Sequence, residues 1–267
     1  VLRYPPTDHP IFRQGIRSDA KVKLPWLLWL IALILAPILI LPGLILSGTT
    51  YSLFWAIQIS NYLTQARSHK DYDLLCALPC GEFGVNWLFS TGYLHRGGAF
   101  ARLHGIGFWG ARLIFMALIV YPVLKGALIS ETDDSQAITA SILAVAIIVM
   151  LVVNHYQSVV MGGLIGILIP AKAKDRFNVP LFVIGAYVAL QSVSYLATAI
   201  LAWILLGDGF SAHNDLQIAL RIFDVVVVFI AIREFIVIYL WRTTLATYQT
   251  EQTEAFQLLD AANRRLV

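Results

Sequence analysis

The sequence predicts an all-α integral membrane protein of about six transmembrane helices with both termini in the cytoplasm. Three observations predict it. Of the 267 residues 58% are hydrophobic and 13% charged, far from the roughly 45–50% apolar and 25% charged of a water-soluble domain. The apolar residues gather into runs close to the roughly 20 residues that a helix needs to cross a bilayer. The Lys and Arg residues fall in the polar segments between runs, and almost all on one side of an alternating path.

Residues 1–24 read as a cytoplasmic N-terminal segment. Positions 8–23 mix apolar and basic side chains in the manner of a helix lying on an anionic inner leaflet. No cleavable signal peptide is expected in the residues given, because the first apolar run is long and follows polar and basic sequence. Residues 25–241 read as the transmembrane domain, with spans in the runs 25–46, 51–66, 104–125, 137 to about 169, 180–206 and 216–241. Ser47-Gly48-Thr49-Thr50 reads as a tight turn joining the first two into a helical hairpin. The fourth run exceeds one crossing. It is either one long helix or a span with a short interfacial piece, and Gly162, Gly163 and Gly166 either kink it or let a neighbour approach closely. Residues 67–103 form the long cytoplasmic loop and 242–267 the cytoplasmic tail.

Orientation follows from charge. The inner segments hold Arg3, Arg13, Arg17, Lys21, Lys23, Arg67, Lys70, Arg96, Arg102, Lys172, Lys174, Arg176, Arg242, Arg264 and Arg265, whereas the outer segments hold only Lys125 among acidic residues. That asymmetry places both ends inside. It also argues against nucleic acid as a partner, since the basic residues follow topology and line no single face. Cys76 and Cys80 then lie on the cytoplasmic side, where no disulfide is expected.

The most specific stretch follows the second run: Lys70-Asp71-Tyr72-Asp73-Leu74-Leu75-Cys76-Ala77-Leu78-Pro79, then Cys80-Gly81-Glu82. Leu74, Leu75 and Leu78 stand at the i, i+1, i+4 spacing of one helical face, so a short surface helix with an apolar face is expected, ending at Pro79. Val85 to Phe89 reads as a second amphipathic stretch leading back to the bilayer. This pattern, with six spans and both ends inside, resembles the permease subunits of ATP-binding-cassette exporters. Charged residues there lead into a Leu-Leu-x-x-x-Pro stop after the second span. The resemblance implies a coupling helix that inserts into a groove of a separate ATP-binding subunit, docked through Asp71, Asp73, Leu74, Leu75, Leu78, Pro79 and Glu82. It implies a second permease copy or homologue as partner, with ATP and magnesium held by the ATP-binding subunit. Asp73 stands where the family usually has Glu, and Cys80-Gly81-Glu82 replaces its usual polar pair. No Gly-x-x-x-x-Gly-Lys-Ser/Thr phosphate loop occurs, so the chain itself is expected to be no ATPase.

Ionisable and amide groups within apolar runs are functional suspects, because lipid penalises them. Arg221, Asp224, Arg233, Glu234, Asn154 and Gln191 are the candidate polar pathway, with Gln58, Asn61, Ser192 and Ser194 as further lining groups. Local neutralisation that lets the helix pack, Arg221 with Asp224 and Arg233 with Glu234, is the favoured account of the charges, and interhelical hydrogen bonding explains the amide and hydroxyl groups equally well. His104 and His155 fall near inner span ends but lack a haem-attachment or metalloprotease motif, so no cofactor or metal is expected in this chain. The functional expectation is a transporter permease subunit in the cytoplasmic membrane of a bacterium. The alternative is a non-catalytic structural subunit of a respiratory or photosynthetic membrane complex.

Overall fold

A computed structural model of the chain describes residues 11, 13, 47–67, 71–77, 81–95, 134–173, 178–206, 215–251, 254, 255 and 257. Among these residues every regular element is a helix: α1 Ser47–Ala66, α2 Asp71–Cys76, α3 Gly81–His95, α4 Asp134–Lys172, α5 Val179–Leu206 and α6 Asp215–Thr247. The runs 25–46 and 104–125, with Arg112, His104, Leu78, Pro79 and Cys80, lie outside the described residues. Two stretches, Val145–Lys172 and Val179–Leu205, are long and apolar enough to cross a membrane. α6 is of similar length but carries Asp224, Arg233, Glu234 and Arg242.

The fourth run is a single helix. With 39 residues α4 is about 58 Å long, well beyond a hydrocarbon core of roughly 30 Å. Pro170 falls in its last turn, where it removes one intrahelical N–H donor just before the helix ends at Lys172.

Close packing of α1 on α4 rests on small residues. Gly48, Ser52, Ala56 and Ser60 recur every fourth position of α1, all buried. They face His155, Gly162 and Gly166 of α4. A Cβ on Gly162 would come within 2.5 Å of the Ser52 carbonyl oxygen, and one on Gly48 within 2.4 Å of His155 Nδ1. Glycine therefore sets the interhelical distance, and its role here is close approach. The same contacts correct the tight turn read over Ser47–Thr50. These four residues form the first turn of α1, because tertiary packing overrides a composition that favours turns.

The pairings Ser52 with Gly162 and Arg67 with Pro170 show that α1 and α4 run in the same direction. α6 runs with them, from Arg233 beside Asn154 to Tyr248 beside Ile167, while α5 runs against them. α3 rises from the Arg67 end, with Phe83 against Trp241 and Phe89 against Tyr62. The amphipathic stretch read over residues 85–89 is instead enclosed. Residues 83–94 are buried except for Trp87, which is half-buried, so α3 packs inside the bundle. Ile11 of the N-terminal segment joins the same core.

The outer face of α5 is largely apolar. On α5, Leu181, Val188, Leu196, Ile200 and Trp203 are exposed, Trp203 at 80%, whereas Tyr187, Gln191 and Ser194 point inward and are buried. The helix thus turns Val179, Val183 and its polar residues Tyr187, Gln191 and Ser194 toward its neighbours and a largely apolar face toward its surroundings.

Candidate functional site

Two polar clusters interrupt the apolar interior. The first centres on Arg233, whose side chain is completely buried. On α6 the buried residues Ile222, Val226, Phe229, Ile236, Leu240 and Thr244 recur at helical spacing, and Arg233 falls in their phase, so its guanidinium is delivered into the bundle. Nη1 donates to Gln191 Oε1 and, at 3.2 Å, to Ser194 Oγ of α5. Nη2 donates to Ser158 Oγ at 2.6 Å and to the Asn154 carbonyl at 3.2 Å on α4. The planar fork thereby ties two helices to a third. The Tyr195 and Phe229 rings lie 5.8 and 5.9 Å from the guanidinium carbon and offer their faces to the charge.

The donor and acceptor inventory orients the rest. Guanidinium only donates, so Gln191 turns Oε1 toward it and sends Nε2 to Ser158 Oγ at 3.1 Å and Tyr187 OH at 3.0 Å. Ser158 then accepts from both Arg233 and Gln191, which leaves its own proton for Asn154 Oδ1 or Thr49 Oγ1. Tyr195 donates to Asn154 Oδ1 at 2.9 Å, Asn154 Nδ2 donates to Thr49 Oγ1 at 3.2 Å, and Thr49 stands 3.2 Å from Tyr195 OH, closing a ring across three helices. Tyr187 donates to the Thr49 carbonyl at 3.0 Å and also meets Ser52 Oγ. Among the described residues, every group that Arg233 hydrogen-bonds is neutral and its Nε has no partner.

The sequence placed Asn154, Gln191 and Arg233 on one polar pathway, and the structure brings these three together with Ser194. The other three candidates stand apart. Glu234, next to Arg233 but turned about 100° around the helix, is exposed and accepts from Gln157 Nε2 at 2.9 Å. Arg221 gives Nη1 to the Leu205 carbonyl at 3.2 Å, satisfying a free carbonyl at the C-terminus of α5. Asp224 is exposed, and Ser192 likewise faces outward. Sequence reading missed Thr49, Ser52, Ser158, Tyr187 and Tyr195. Their signal was present as polar residues at helical spacing, 154 with 158 and 187 with 191, 194 and 195.

The second cluster closes the end of the bundle where α1, α4 and α6 finish. Arg67 Nη2 pairs with Glu82 Oε1 at 2.6 Å and reaches Tyr248 OH at 3.1 Å, while Nη1 donates to the Pro170 carbonyl at 2.8 Å. Tyr72 of α2 donates to Asn86 Oδ1 at 2.9 Å, with Glu82 Oε1 3.2 Å away, and Asn86 Nδ2 reaches Tyr248 OH at 2.9 Å. Burial pushes the Arg67 guanidinium down, and Tyr248, Tyr72 and Glu82 push it up by more. Burial holds the Tyr72 and Tyr248 phenols well above the usual tyrosine value, Tyr248 at about 12.

The proposed docking residues divide around this cluster. Leu74 is 72% exposed and Asp73 is exposed, whereas Leu75 packs partly against the chain's own core and Glu82 is held by Arg67. α2 is anchored through Tyr72, 6% exposed, and presents Asp73 and Leu74 outward. His155 is buried with its ring against Gly48 and beside Tyr156, and among the described residues no three His, Cys, Asp or Glu side chains gather as metal ligands. Set against known protein families, curated proteins and solved structures, the chain has no significant match.

Proposed function

We propose that this chain is a multi-pass membrane protein serving as the permease subunit of a transporter, energised by a separate ATP-hydrolysing subunit. The observation that carries the reading is Arg233, a full charge buried among neutral side chains between helices whose outer faces are apolar. In a bilayer such a charge is expensive, which makes its site a candidate pathway or substrate contact. The apolar outer face of α5 supports insertion in lipid, because a water-soluble protein seldom exposes so continuous a patch. The shared direction of α1 and α4 supports a further crossing between them, which the run 104–125 is long enough to supply.

Energy enters at the Arg67 end in this reading. α2 offers Asp73 and Leu74 to a partner, and Tyr72, Glu82 and Arg67 carry any displacement of α2 to the ends of α4 and α6. Transport requires that the partner's ATP-bound and ATP-free states contact α2 differently. A second permease copy completes the pathway.

Purification of the tagged chain in mild detergent, with an ATPase assay and mass spectrometry of the eluate, tests the reading. It predicts an ATP-hydrolysing partner that is retained by the native chain and lost from L74D. Recovery of cofactor-bearing redox subunits without ATPase would contradict it and make the chain a structural subunit.

A further inference from the structure

The Arg67 end also carries a groove on its outer surface, lined by residues that neither polar cluster uses. It is an open depression of about 550 Å³ between the last turn of α4 and the final turns of α6, lined by Lys172, Tyr239, Arg242, Thr243, Ala246 and Thr247. The α6 residues recur at 239, 242, 243, 246 and 247, the spacing of one helical face, and Lys172 is the last residue of α4. The Thr243 and Thr247 hydroxyls donate back to the Tyr239 and Thr243 carbonyls at 2.8 and 2.7 Å, so the charge of the groove belongs to Lys172 and Arg242. Both are exposed, and neither forms an ion pair with a described residue. Toward the middle of α6 the exposed residues Phe235, Ile238 and Tyr239 follow the charges as an apolar strip.

We infer that this groove binds an anionic phospholipid, its phosphate held by Lys172 and Arg242 and an acyl chain lying along Phe235 and Ile238. The chemistry selects this occupant on three counts. A guanidinium forks onto phosphate oxygens while an ammonium adds a point charge. A phosphocholine-type headgroup would set its own cation against the pair, and a purely apolar partner would leave both charges unmet. Tyr239 at the junction of charged and apolar surface occupies the place favoured by tyrosine at a membrane interface. The inference rests on the membrane part of the proposed function, with this end at the lipid–water boundary, and is independent of transport.

The test is native mass spectrometry of the full chain purified in mild detergent with equal supplements of phosphatidylglycerol and phosphatidylcholine. Phosphatidylglycerol is expected to be retained about tenfold over phosphatidylcholine, and K172E/R242E to lose that preference with an unchanged melting temperature, as befits two exposed side chains. Equal retention of the two lipids, or an unchanged preference in K172E/R242E, would overturn the inference. Displacement of the lipid by millimolar inorganic phosphate would assign the groove to a soluble anion and overturn it as well. Alkaline carbonate extraction separates the two levels. A chain that stays in the membrane without lipid preference refutes the groove alone, whereas a chain released by carbonate refutes the membrane reading beneath it.

Discussion

A guanidinium held only by neutral oxygens restricts what can replace it. Arg233→Leu leaves Gln191 Oε1 without its donor in the interior and takes one of two donors from Ser158 Oγ, at a cost of about 1–3 kcal/mol. Arg233→Lys keeps the charge but gives up the planar fork that reaches α4 and α5 at once, and a smaller loss follows. Thermal unfolding in detergent, followed by tryptophan fluorescence, should rank the variants native, R233K, R233L. The Gln191→Leu variant should be less damaging in an R233L background than alone, since the two side chains serve one network. Additive losses would show that Arg233 and Gln191 act separately. At this scale the sequence was half legible. Polarity within an apolar run identified Asn154, Gln191 and Arg233, and it identified Arg221, Asp224 and Glu234 just as strongly. Helical phase decides between the two sets, yet Phe223, Val227 and Phe235 on the outer face are as apolar as Phe229 and Ile236 on the inner one. Where both faces of a helix are apolar, hydrophobic periodicity cannot say which points inward.

Among the elements, α1 and α4 owe their proximity to missing side chains, which gives a sharp contrast between glycines. Gly162→Ala drives a methyl against the Ser52 backbone and should cost about 1–3 kcal/mol by overpacking. Gly185→Ala, with open space around its Cβ position, should be neutral or stabilise α5 by up to about 1 kcal/mol. Melting temperatures of the two variants test this, and equal shifts would refute close approach as the role of Gly162. The composition of Ser47–Thr50 reads as a turn for the same reason that it packs as a helix: small residues suit tight turns and tight interfaces alike. α3 misled in the opposite sense, because Val85 to Phe89 reads as an amphipathic stretch, while the structure buries Asn86 along with Val85, Leu88 and Phe89.

The tie between α2 and the ends of α4 and α6 also predicts a pH dependence. Burial keeps Tyr72 and Tyr248 neutral at pH values where tyrosine in an unfolded chain, with a pKa of about 10, has ionised. Their contribution to stability is therefore complete below about pH 10 and declines as pH rises from there toward about 12. Melting temperature measured from pH 8 upward should fall above pH 10, and Tyr248→Phe should shallow the fall. A fall of unchanged steepness in that variant would exclude Tyr248 as a source.

On the scale of the whole molecule the described bundle has an apolar interior crossed by two polar clusters, and it exposes broad apolar surface on α5 and α6. Its directions agree with the charge pattern of the sequence: α1, α4 and α6 end together at Arg67, Lys172 and Arg242, and α5 begins there. The clustering of basic residues was legible in the sequence because it does not depend on packing. The order of neighbours was not, since it depends on Gly162 meeting Ser52 and on Arg233 meeting Gln191, contacts that no local pattern specifies.

The most direct test of this arrangement is labelling by a membrane-impermeant maleimide, with Cys76 and Cys80 replaced and single cysteines at Asp73, Leu196 and Gln217. The reagent should reach position 73 only from the cytoplasmic side, position 217 only from the opposite side, and position 196 from neither until the membrane is dissolved. Labelling of position 196 in intact membranes, or of 73 and 217 from the same side, would contradict a membrane-spanning bundle built around Arg233.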